Sequence, residues 1–261
     1  IDEKKMRLLK EVSSMKKYWI NKVKQIEDTM LETYQIEDEN DKSVINIELS
    51  NELSDRIKTV TKNNPFAEFV LFFSVYQILL QRYNNSRYQV VLTPAFELKQ
   101  KKLENWVFCE IEDSQEKTFK ELLNDNIKKF KDIFANQFYS IEELMAEKSE
   151  ILNFLCKNIF VLETCQNINA IEKYLNSKKN QVAFVINKKE NSFEVKCYHF
   201  KNENKEDAIS VLRKYVEFLN IVTEKLDINI KEFFLSEETY AMDKNEVKSY
   251  NLDVALAITD E

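Results

Sequence analysis

Not one of the 261 residues is glycine. Glycine supplies the positive φ that tight turns need, and it lets a backbone approach a phosphate closely. Its absence removes glycine-rich phosphate loops and dinucleotide fingerprints from the candidate chemistries. Turns must rely on Asn and Asp, which tolerate the left-handed region better than other side chains. The expected places are Asn63-Asn64, Asn84-Asn85 and Asn202-Glu203-Asn204.

Hydrophobic residues make up 44% of the chain and charged residues 32%, the balance of a folded protein with a core. The length is at the upper end of what one core holds, so one domain with a terminal extension is expected. Thirty-eight basic and 45 acidic side chains give a net charge of −7 with no basic stripe, which argues against a nucleic-acid partner. The longest apolar stretch, Phe69 to Leu80, is interrupted by Ser74 and Gln77 and is too short to span about 30 Å of hydrocarbon, so no membrane partner is expected. The chain opens Ile1-Asp2-Glu3-Lys4-Lys5-Met6 without an apolar signal core, which suggests a cytoplasmic fragment of something longer. Cys109, Cys156, Cys165 and Cys197 are far apart with no CxxC pair and read as free, buried thiols.

Hydrophobic spacing then orders the elements. Leu8, Leu9, Val12, Met15, Trp19, Val23 and Ile26 recur every three or four residues, predicting a helix over 6–26 that packs one stripe. Residues 28–42 read as a loop, and Ile45, Ile47 and Leu49 as a half-buried strand. Ser50 suits the cap of a helix running to Lys62, and Pro65 the first turn of a second helix that is apolar nearly all round and therefore central. Strands follow at Tyr88–Leu92 and Trp106–Ile111, a helix at Phe119–Phe134, a short helix at Ile141–Ala146 and a strand at Asn158–Leu162. A hairpin pairs Val182–Ile186 with Phe193–Phe200 through Asn187–Asn191, and a long helix runs from Glu206 to Lys225, followed by an apolar patch at Ile230–Leu235. The pattern is α/β, a mixed sheet covered by helices.

Several of these segments carry local motifs. Tyr18-Trp19 lies inside the first helix; Pro65-Phe66-Ala67-Glu68-Phe69 leads through Leu80-Gln81-Arg82-Tyr83 into Gln89-Val90-Val91-Leu92-Thr93-Pro94. Asn105-Trp106-Val107-Phe108-Cys109, Asn136-Gln137-Phe138, Asn153–Leu162 and Leu235-Ser236-Glu237-Glu238 follow in order. Together they resemble the C-terminal lobe of a nonribosomal peptide synthetase condensation domain. The correspondence runs over about residues 11–240 and matches the family's YW, apolar helix with RYS turn and GTP strand, FVN strand, PFE stretch and closing LLSEEE. The resemblance implies a single chloramphenicol-acetyltransferase-like lobe over 28–235, preceded by a joining helix over 1–27 and followed by a linker over 236–261.

The departures bear on activity. The family's catalytic HHxxxDG belongs to its other lobe, and a chain with one histidine and no glycine cannot hold it. The glycine before Thr93, the glycine of the FVN strand, the proline of the PFE stretch and the Arg-x-Pro of the later motif are missing too. His199 lies in the strand Cys197-Tyr198-His199-Phe200 with no second histidine to pair with, so it reads as structural. No nucleophile stands beside a base, and the acidic pairs Glu142-Glu143 and Glu237-Glu238 read as solvated faces. The aromatic row Phe66, Phe69, Phe72, Phe73 and Tyr76 reads as core. No catalytic residue, cofactor or metal ligand is assigned, and the isolated lobe is expected not to be an enzyme.

What remains is binding. By analogy with the family, an interface with adjacent adenylation or carrier domains is expected on the last helix and linker, at Tyr215, Phe218, Leu235, Tyr240 and Tyr250, with Trp106 and Phe108 near the face that a second lobe would cover. The expected role is a non-catalytic spacer or docking platform within a synthetase, with rigid contact through residues 226–261. The alternatives are the acceptor-side half of a split condensation enzyme and a stand-alone interaction module. Trp19, Pro94, Trp106 and Phe108 separate them: buried under the chain's own segments they mark a domain adapted to live alone, and in an open groove they mark a missing partner.

Overall fold

The computed structural model describes residues 3–29, 42–83, 89–97, 105–145, 151, 154–167, 182–200, 205–235 and 247–251. In chain order the elements are α1 (Glu3–Thr29), β1 (Lys42–Glu48), α2 (Asn51–Thr61), α3 (Pro65–Tyr83), β2 (Gln89–Pro94), β3 (Trp106–Ile111) and α4 (Phe119–Asn136). There follow α5 (Ile141–Met145), β4 (Asn158–Leu162), β5 (Val182–Lys188), β6 (Phe193–Phe200), α6 (Lys205–Glu224), α7 (Lys231–Leu235) and β7 (Val247–Asn251).

The strands form one sheet in the order β3-β2-β4-β5-β6-β1-β7. The β2–β4 and β4–β5 pairs are parallel and the others antiparallel, so the sheet is mixed as the α/β pattern predicts. Every residue of β2 and β4 is buried, which matches their unbroken apolar runs: a strand covered on both faces has no side for alternating polar residues.

α3 is the hub. Every residue from Glu68 to Leu80 is buried, because a helix apolar all round must be surrounded. Phe69 and Phe73 meet Phe130 of α4 at ring distances of 4.8 and 4.7 Å and Phe160 of β4 at 5.5 and 5.6 Å. Tyr76 lies 4.9 Å from Phe184 of β5, and Phe72 lies 5.1 Å from Phe193 of β6. The aromatic row read as core is core. α2, α4 and α6 all contact α3, completing the helical layer.

The helix ends are set locally. Ser50 Oγ accepts from the Leu53 amide at 3.2 Å and caps α2. Thr118 and Glu121 form a reciprocal capping box at the start of α4. Between α2 and α3 the positive φ falls on Lys62 (54°) and Asn63 (53°), one residue earlier than the asparagine pair suggests. Asn64 is used otherwise: its Oδ1 accepts from the Ala67 amide at 3.0 Å, so its side chain caps α3. The other two asparagine turns and most of the 28–42 loop lie outside the described residues. The hairpin is tighter than its sequence suggests, since β5 runs on to Lys188 and the turn closes with the Lys189 amide donating to Ser192 O at 2.9 Å.

Two expectations are corrected. The stripe of α1 does not pack along its whole length: Trp19, Val23 and Ile26 are buried, but Met6, Leu8, Leu9 and Val12 are 46–60% exposed. Only the second half of the helix lies on β3 and α4. Residues 236–261 are not wholly linker, because Val247–Asn251 adds to the sheet as β7, antiparallel to β1. The polar sequence of that segment gives no strand signal of its own; the open edge of β1 supplies the pairing.

Candidate functional site

At the junction of α1, β3 and α4, Trp19 occupies the face where an open groove was one of two possibilities. Its indole N–H donates to the Asn136 carbonyl at the end of α4 at 2.9 Å, and its ring lies 5.0 Å from Phe108 and 4.9 Å from Tyr18. One turn on, the Lys22 ammonium pairs with the Glu110 carboxylate, both largely buried. Lys129 of α4 donates to the Glu110 carbonyl at 2.9 Å, so the ion pair and the backbone of β3 are held from both helices. Trp19, Trp106 and Phe108 are at most 3% exposed and Pro94 is buried. The chain's own residues cover this face.

The motif residues at the end of β2 are tied down by two glutamines. Gln166 Nε2 donates to Thr93 Oγ1 and to the Pro94 carbonyl, each at 2.6 Å, while its Oε1 accepts from the Leu162 amide at 2.9 Å. Gln137 Oε1 accepts from the Phe96 amide at 2.8 Å. The Thr93-Pro94 and Asn136-Gln137 motifs, 41 residues apart between Phe96 and Gln137, therefore meet in space. Gln166 carries no signal in the sequence, because its role depends on a bridge between Phe96 and Gln166 that only the fold creates.

Burial pushes the Cys109 thiol up to about 11 against the opposing pull of Lys129 and Lys22, and burial also raises Cys165 and Tyr18 above their usual ranges. A thiol held protonated is a poor nucleophile. Among the described residues, no group of three His, Cys, Asp or Glu side chains could hold a metal ion. His199 pairs through its backbone with Val182 and Ser43 in the middle of the sheet. Among the described residues, no helix is long and apolar enough to cross a membrane.

The expected interface residues divide. Tyr215 and Phe218 are fully buried, with the Tyr215 hydroxyl donating to Phe72 O at 2.9 Å and the Phe218 ring 4.7 Å from Phe233, so neither can touch a partner. The same correction applies to Trp106 and Phe108, which sit in the core. The reason is common to all four: α6 and β3 are lined on the inside by their largest side chains, and these fill the space against α3 and α1. Leu235 closes α7, Tyr250 pairs in β7 opposite Val44, and Tyr240 lies outside the described residues. The loop before α7 is strapped to the start of α4 by three backbone bonds, Phe119 N to Ile228 O, Lys120 N to Leu226 O and Ile230 N to Lys117 O, each 2.9 Å. Glu224, Lys225, Asp227, Asn229, Lys231 and Glu232 remain exposed on this fixed stretch.

No protein-family model matches the chain, and no curated protein is significantly similar to it in sequence. Solved structures do share its fold. The X-domain in its complex with OxyB from teicoplanin biosynthesis aligns at a TM-score of 0.64 and 12% identity, over 87% of this chain and 56% of the other. The first condensation domain of the CDA synthetase aligns at 0.62 and 11%, over 88% and 54%. Holo-AB3403, a four domain nonribosomal peptide synthetase, aligns at 0.57 and 9%, over 74% of this chain and 17% of the other. The fold is that of a single chloramphenicol-acetyltransferase-like lobe of condensation domains, and the chain spans about half the length of the condensation-domain structures it matches.

Proposed function

We propose that this chain is a non-catalytic partial condensation domain that serves as a spacer or docking platform within a cytoplasmic nonribosomal peptide synthetase, against neighbouring adenylation or carrier domains. One observation carries the reading: with a single histidine and no glycine, the chain cannot supply the HHxxxDG signature of the enzymes it resembles. The covered face around Trp19 and Phe108 supports it, since a lobe awaiting a second lobe there needs that face open. The strapped stretch from Leu226 to Ile230 supports the platform, because a contact that fixes the distance between domains must itself be fixed. The X-domain that shares this fold is found in complex with a second protein, OxyB, which is the kind of role proposed.

The half-length match favours one competing reading, an acceptor-side half completed by a separate catalytic lobe. Size-exclusion chromatography with light scattering separates them. The 261-residue chain is run alone, with adenylation and carrier domains of a synthetase, and with a lobe carrying the two histidines. The platform reading expects a complex with the adenylation or carrier domain that is weakened by charge reversal at Lys231 and Glu232. A complex formed only with the histidine-bearing lobe, and condensation activity on mixing, would overturn it.

A further inference from the structure

We draw no further inference here: the strongest candidate, the exposed apolar surface patch of Met6, Leu8, Leu9 and Val12 on the outer half of α1, carries nothing, because nothing in the structure shows what covers it.

Discussion

A chain without glycine places ordinary side chains where the backbone turns left-handed, and Lys62 is the clearest case, with φ 54° and ψ 37° at the end of α2. A β-carbon there crowds the following carbonyl. Lys62→Gly is expected to stabilise the fold by about 0.5–1 kcal/mol, the strain relieved exceeding the added freedom of the unfolded chain. Lys62→Val should shift the urea midpoint the other way, and equal midpoints for all three would show that the turn is unstrained. Lys157 gives a second residue-level test. It is 7% exposed, and burial pushes its ammonium down from 10.5 to about 8. A base whose folded value is depressed leaves the folded state binding fewer protons between pH 8 and 10.5, so stability rises through that window and is withheld below it. Lys157→Met should therefore raise the urea midpoint at pH 7, with an advantage over the parent that shrinks as pH climbs from 8 to 10.5. A constant advantage across that range would mean that packing, not charge, sets the difference.

At the scale of elements, α1 is two helices in one: an anchored half ending on β3 and α4, and an outer half on which stability barely depends. Trp19→Ala should cost about 3–5 kcal/mol, since it empties a site walled by Tyr18 and Phe108 and leaves the Asn136 carbonyl with the longer bond from the Tyr139 amide at 3.4 Å. Leu9→Ser, on the outer half, should change stability by less than about 0.5 kcal/mol. Similar losses from both, measured by urea unfolding, would contradict the division. This contrast also marks the limit of what the sequence discloses. Periodicity finds α1, α3, α4 and α6 because each buries a face over several turns, and the turn chemistry at Ser50 and Pro65 sets the starts of α2 and α3. Periodicity reports a face, not what lies against it, so Leu8 and Trp19 look alike until the body of the domain is in place. The same blindness put Tyr215 and Phe218 on a surface: both belong to the apolar face of α6, and only the position of α3 shows that this face points inward. β7 escaped notice for the opposite reason. Val247-Lys248-Ser249-Tyr250-Asn251 has little apolar alternation, and its strand state comes from the neighbour.

The sheet as a whole explains why that neighbour matters. Its centre, β2, β4 and β5, is parallel and buried on both faces, while the antiparallel β6 and β1 carry it outward to β7. At the far edge, β3 is sheltered by the anchored half of α1, which reaches it through Trp19 and Lys22. At the near edge the only described element covering the side of β1 that faces away from β6 is β7, paired from Ser43 opposite Asn251 to Ile47 opposite Val247. An uncovered strand edge presents a row of free amides and carbonyls that another chain can pair with. Ending the chain after Leu235 should accordingly leave the helical layer and the core rings around Phe160 in place, with far-ultraviolet circular dichroism little changed, yet make the shortened chain self-associate through β1 more strongly than the parent. Light scattering over a range of concentrations reads this directly, and placing a lysine at Ile45→Lys is not the control, because that side chain is fully buried; Asn46→Pro is, since it removes a backbone donor from β1. Association that persists unchanged in the shortened chain carrying Asn46→Pro would mean that β7 protects something other than the edge of this strand.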